Sequence, residues 1–166
     1  MITKEIRIPD IDQIIDFEKE ANNYGSGIKG KDLIGVWMFK YVWKKGSNQI
    51  DNFSSSILQV LSANLELTKK DLEEEIPTFH IKNSVQIGLI SFVFSGKAFL
   101  KGKRPLLFFY FQRFFIKLGS INLLEKCFEE KDFKTMPFFS LIKIDNKNNQ
   151  MIARGKGGGL AIWIKS

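Results

Sequence analysis

The stretch Val36-Trp37-Met38-Phe39-Lys40-Tyr41-Val42-Trp43-Lys44 sets the fold class. Its odd positions hold Trp37, Phe39, Tyr41 and Trp43, and its even positions include Lys40 and Lys44. In an extended chain successive side chains point to opposite faces, so the rings share one side of a strand and that side is expected to face inward.

The alternation continues downstream. Ile57, Leu61, Ala63, Leu65 and Leu67 stand opposite Ser62, Asn64 and Glu66, and Phe79, Ile81, Val85 and Ile87 stand opposite His80, Lys82, Ser84 and Gln86. The single histidine, His80, is therefore expected on a solvated face. Ile90, Phe92 and Phe94 lead into the turn Lys101-Gly102-Lys103-Arg104-Pro105, from which Leu106 to Leu118 returns as the clearest hairpin in the chain. That returning strand is apolar on both sides. Phe108, Tyr110, Phe114 and Ile116 lie on one and Leu107, Phe109, Phe111 and Phe115 on the other, so both need cover. Leu123, Leu124, Cys127 and Phe128 fit a short helix after Ser120, and strands are expected over Phe138 to Ile144 and Leu160 to Lys165.

Upstream, Pro9-Asp10 opens a helix over Asp10 to Asn22, with Gln13 at capping-box spacing and Ile11, Ile14, Ile15 and Ala21 on one face. Gly25, Gly27 and Gly30 break it. The 166 residues suit one domain, in which 1–32 form the helix and Gly-rich loop and 33–166 a β unit. The 16 Phe, 3 Trp and 3 Tyr favour pleated, half-buried surfaces. Cys127 is the only cysteine, so no intrachain disulfide can form and a reducing, cytoplasmic setting is expected. Met1 to Arg7 lacks an apolar secretion signal, and Leu106 to Ile116, interrupted by Gln112 and Arg113, is shorter than a membrane-spanning helix.

Gly35-Val36-Trp37 follows the helix and loop at the position where lipocalins place a Gly-x-Trp whose indole closes one end of the barrel. The wider pattern resembles the plastid-lipid-associated protein family, or fibrillins, shared by cyanobacteria and plastids. The resemblance rests on Leu33-Ile34-Gly35-Val36-Trp37, on Leu107-Phe108-Phe109-Tyr110-Phe111 leading to Leu118-Gly119, and on Ile152-Ala153-Arg154-Gly155-Lys156-Gly157-Gly158-Gly159-Leu160-Ala161-Ile162-Trp163. It implies a mainly β fold, an antiparallel lipocalin-like barrel, and thylakoid association with binding of a lipid, carotenoid or prenylquinone. The family carries an acidic residue shortly before Arg-Gly. Asp145 is the candidate here, across an interval, Asn146 to Gln150, longer than usual.

Together these readings give a mainly β chain, a lipocalin-like barrel with an N-terminal helix and one short helix in the C-terminal half. Its expected role is non-catalytic binding of an apolar molecule. The interior is expected to gather Trp37, Phe39, Tyr41, Leu61, Phe92, Phe94, Phe108 and Tyr110, with Gln112 as a sparse polar group. Gly35, Arg154 and Gly155 are expected as structural positions, with the Arg154 guanidinium packed on Trp37 or Trp163. Gly155 to Gly159 lacks the Lys-Ser/Thr and following helix of a phosphate loop and reads as a hairpin turn.

Lys97, Lys101, Lys103 and Arg104 offer a cationic turn for reversible contact with an anionic membrane, within a net charge of +7. One His and one Cys supply neither a metal cluster nor an activated nucleophile, so no metal, cofactor or catalytic residue is expected, and no nucleic acid partner. The charge run Asp71, Glu73, Glu74 and Glu75 reads as a solvated helix start. The rival readings are a phycobilin lyase-like tetrapyrrole chaperone and a membrane-peripheral scaffold without ligand.

Overall fold

A computed structural model describes residues 7–46, 49, 64–71, 75–130 and 132–166. Leu61, Ile57 and Ala63 lie outside the described residues. Helix α1 spans Ile11–Tyr24 and opens on the expected capping box: the Gln13 amide donates to Asp10 Oδ1 at 2.8 Å and the Asp10 amide to Gln13 Oε1 at 3.2 Å. It ends at Gly25, whose φ of 87° favours glycine and whose amide donates to the Ala21 carbonyl oxygen at 2.9 Å. A single turn, α2 (Gly30–Leu33), precedes the strands.

Nine strands follow: β1 (Gly35–Trp43), β2 (Asn64–Asp71), β3 (Thr78–Ile87), β4 (Ile90–Lys101), β5 (Leu106–Leu118), β6 (Ile121–Cys127), β7 (Phe138–Asp145), β8 (Gln150–Gly155) and β9 (Leu160–Lys165). All pairings are antiparallel, in the order β4-β3-β2-β1-β9-β8-β7-β5-β6, with β4 also bonded to β5. That last pairing closes eight of the strands into a ring, and β6 continues the sheet beyond it on β5. Closure removes exposed edges that an open sheet would present.

One expected helix is a strand. Leu123, Leu124 and Cys127 belong to β6, because Gly119, at φ 56°, turns the chain back onto the free edge of β5 and the backbone satisfies itself there. Of the expected helix start, Asp71 ends β2 and pairs with Thr78 of β3, while Glu73 and Glu74 lie outside the described residues.

The ring interior is filled by Trp37, Leu65, Leu67, Phe79, Ile81, Ala98, Leu100, Leu107, Leu141, Met151, Ala153 and Trp163. Leu33 from α2 plugs one end, and the Trp37 indole N–H donates to its carbonyl oxygen at 2.8 Å. Outside the ring, α1 lays Ile14 on Trp43, Ile142, Ile152, Leu160, Ile162 and Ile164. It thus covers β7, β8, β9 and the end of β1, not the outer side of β5.

Five of the expected inward residues, Tyr41, Trp43, Phe108, Tyr110 and Gln112, face out. Between Phe39 and Tyr41 the β1–β9 register slips by one residue, a β-bulge at Lys40. A bulge inverts the alternation beyond it, so Val42 joins the interior and Tyr41 packs with the α1 cluster. Phe108 and Tyr110 are excluded by the β4–β5 turn, which pairs Leu100 with Leu107 and Phe99 with Phe108. Cross-strand partners share a face, so with Ala98 and Leu100 inside, the inward side of β5 is Leu107, Phe109 and Phe111. Phe108 and Tyr110 instead meet Phe99, Phe133 and Phe138 outside.

Candidate functional site

On one edge β5 keeps β4 throughout. On the other it changes neighbours, pairing Leu106 to Phe108 with β7 and Arg113 to Leu118 with β6. At the changeover the Phe109 amide donates to the Pro137 carbonyl at 3.1 Å and the Phe128 amide to the Gln112 carbonyl at 2.8 Å. An apolar cleft of about 200 Å³ opens there, lined by Phe94, Tyr110, Phe111, Phe128 and Pro137.

The same changeover carries a bulge. The register slips between Ser95 and Gly96 so that Gln112 has no partner on β4, and the β5 backbone is pressed onto Gly96. A Cβ at Gly96 would collide with the Tyr110 carbonyl oxygen and lie 2.7 Å from Cα of Phe111, so only glycine fits. Because the bulge resets the alternation, Phe111 and Phe114 lie on one face. Phe94 touches both, with ring centroids 5.4 Å and 4.6 Å away.

Beyond Phe94 the face stays apolar to its tip. Val85, Phe92, Ile116 and Leu124 form one cross-strand row, and Ile87, Ile90, Leu118 and Ile121 the next. Ile87 is 51% exposed and Ile121 62%, and Leu89 on the β3–β4 turn reaches 75%. Segments 83–93 and 114–124 contain Lys117 as their one charged residue and no carboxylate. An apolar face of this extent, in contact with solvent, is a candidate binding surface.

Tyr110 is the polar group of the cleft. Its hydroxyl donates to Glu130 Oε1 at 2.7 Å. Burial, then that bond and the carboxylate charge, push its pKa up to about 12, so the phenol stays neutral and holds Glu130 at the cleft edge.

The sequence-derived site residues divide between these places. Trp37 and Phe39 belong to the packed interior, where Phe39 meets Trp163 edge-on at 6.1 Å. Phe92 and Phe94 belong to the apolar mouth. Gln112 is turned by the bulge onto the outer face, where it lines a polar hollow of about 510 Å³ with His80, Lys82, Ser95 and Arg113. That hollow is larger than the apolar cleft but is walled mainly by charged and hydroxyl groups, which suits water better than an apolar guest. His80 is exposed there, as expected.

The cationic turn lies at the opposite end of the β4–β5 hairpin from the mouth, so it does not flank it. Lys101 sits 5.7 Å over the Phe133 ring, Lys103 is exposed, and Arg104 bonds Asn22 Oδ1 and, at 2.8 Å, Glu18 Oε1. Arg154 packs on neither Trp37 nor Trp163. Its Nε and Nη2 donate to Glu18 at 2.7 and 2.5 Å and its Nη1 to the Gly158 carbonyl at 2.6 Å. The Trp37 ring instead receives Lys165, 5.1 Å from its centroid. Asp145 accepts from the Lys147 and Asn148 amides and caps the β7–β8 turn. Gly155 donates to the Gly159 carbonyl at 2.9 Å, closing the β8–β9 turn as a hairpin rather than a phosphate loop.

Sequence reasoning passed over Glu18 and Ser140, and it put Phe114 and Ile116 on the same side of the strand as Phe108 and Tyr110, from which the bulge at Gln112 separates them. Glu18 had a legible signal: it falls between Ile14 and Ala21 on the apolar stripe of α1, where a carboxylate requires partners. Among the described residues no His/Cys/Asp/Glu group could hold a metal ion, and no helix is long and apolar enough to cross a membrane. No protein-family model matches the sequence, and no curated protein matches it.

Proposed function

We propose that the protein binds an apolar lipid or isoprenoid, such as a carotenoid or quinone, at the open end of the ring, and performs no chemistry on it. The observation that carries this reading is the inner face running unbroken from Phe111 through Phe94 and Phe114 to Ile116, Ile90 and Leu118. Aromatic rings at its base and aliphatic groups at its rim suit a long hydrocarbon. Apolar area removed from water contributes about 25 cal/mol per Å².

The motif resemblance to plastid-lipid-associated proteins supports the same class of ligand, a lipocalin-like barrel as its container and a place at the thylakoid surface. Lys101 and Lys103 are the exposed cations of the β4–β5 turn available to an anionic leaflet, while Glu18 engages Arg104. Each basic residue near such a surface contributes roughly 1 kcal/mol.

Quenching of tryptophan emission by a prenylquinone tests the reading. Wild type should bind saturably, and a Phe94→Ala, Ile116→Ser double variant should bind about tenfold more weakly, a change of about 1.4 kcal/mol. Equal binding by the two, with both folded by circular dichroism, would sink it.

A further inference from the structure

Two side-chain atoms among the described residues are buried without a hydrogen-bond partner: Nε of Arg104 and Oγ of Ser140. They are distant in sequence, yet both side chains line one cleft of about 480 Å³. Register explains the meeting. Leu106 pairs with Ser140 and Ser140 with Arg154, so these three side chains stand in a row on the outer face of β5, β7 and β8. Arg104 reaches the row from the preceding turn, and Lys156 closes it from the β8–β9 turn.

Native structures rarely leave buried donors without acceptors, and each exception calls for a missing partner. Ser140 is only 5% exposed. The charge balance has the same sign as the missing groups: Arg104, Arg154 and Lys156 bring three cations to the cleft, and Glu18 is the carboxylate bonded to them among the described residues. Glu18 is bonded to both arginines, and the Arg154 bond chiefly holds its pKa below the usual value. It orients the guanidinium groups without neutralising the cleft. Lys156 spends one bond, 3.2 Å, on the Met136 carbonyl and keeps further hydrogens for a ligand. Gly155 and Gly158 add no side chain of their own to one rim, and Leu106 and Phe138 form an apolar wall.

We propose that this cleft is a binding site for an oxyanion, a phosphate or carboxylate, carried on an apolar organic group. The oxyanion accepts from Arg104 Nε, Ser140 Oγ and Lys156 Nζ, and the organic part lies along Leu106 and Phe138. The site is separate from the apolar mouth: its residues stand on the outer face of the ring, with Leu107, Leu141 and Ala153 on the inner. It also differs from a phosphate loop, because its donors are side chains from strands and turns and not the amides of a helix start.

Isothermal titration calorimetry with phenyl phosphate, benzoate and inorganic phosphate at low salt tests the site. Vesicle flotation on phosphatidic acid against phosphatidylcholine tells a soluble ligand from a lipid headgroup. Phenyl phosphate or benzoate should bind one per chain and more tightly than inorganic phosphate. Ser140→Ala and Lys156→Gln should each weaken that binding about tenfold while leaving the thermal melt in place. Lys156 is exposed, so its variant folds even where the buried one does not.

If the source is a headgroup, phosphatidic acid vesicles capture the wild type and both variants lose it. If it is soluble, the small anions bind and the vesicles do not. Failure of wild type to bind any of these probes, or equal binding by wild type and both variants, overturns the proposal.

Discussion

The two ends of the ring are built from the same strands and the same kinds of residue, yet they meet water differently. At the α2 end Trp37, Leu33, Leu67 and Phe79 are at most 1% exposed. At the β3–β4 end Ile87, Ile90, Leu118 and Ile121 range from 39% to 62%. Hydrophobicity does not separate them. Neighbour supply does: at the first end every strand has partners on both sides and a helical turn above, whereas at the second β5 has exchanged β7 for β6 and the sheet has opened. An apolar strand is core where the sheet closes over it and a solvent-facing apolar surface where it does not.

The strongest test of this contrast is Trp37→Ala. Removing a fully buried indole and its 2.8 Å bond to Leu33 should lower stability by about 3–5 kcal/mol, read by urea titration. A loss no larger than that of a rim residue would erase the distinction between the ends.

Gly96→Ala probes the joint between them. A methyl group there meets the β5 backbone, and overpacking of this kind costs about 1–3 kcal/mol. The same variant should also weaken quinone binding, since it displaces Phe111. A melt unchanged from wild type would show that the strands relax apart at no cost.

Glu18→Gln concerns the helix over the closed half. With its side chain 13% exposed between two arginines about 30% exposed, the pair lies between surface and buried cases, and about 2 kcal/mol should be lost at neutral pH. Its folded pKa is lowered from 4.5, so the contribution is complete above that value and disappears as pH falls through the lower folded pKa. The variant's stability should therefore vary less with pH below 4.5 than wild type's, in melts followed between pH 3 and pH 6. Parallel acid limbs would remove Glu18 from the account.

The smallest effect belongs to the open end. Leu89→Asn, at a residue 75% exposed, should change stability by no more than about 0.5 kcal/mol. A substantial loss would mean that the tip is packed rather than open.

The sequence by itself determined that the chain is mainly β, the Asp10–Gln13 cap of α1, the long β4–β5 hairpin and the solvated position of His80. Each follows from local periodicity or turn chemistry within a few residues. It also made legible that Leu106 to Ile116 needs cover on both sides. Tertiary structure alone decided which cover each side received.

The bulges at Lys40, between β1 and β9, and at Gln112, within the β4–β5 hairpin, are slips of register invisible to a period-two reading. They moved Tyr41 and Gln112 off the inner face and brought Phe114 onto it beside Phe94. The four-residue β4–β5 turn put Phe108 and Tyr110 outside by pairing even positions with odd ones. Leu123 to Cys127 became strand because β5 had an unpaired edge to offer. Side-chain face is fixed by hydrogen-bond register across strands, and register can depend on partners far away in sequence, as that of Phe39 does on Trp163.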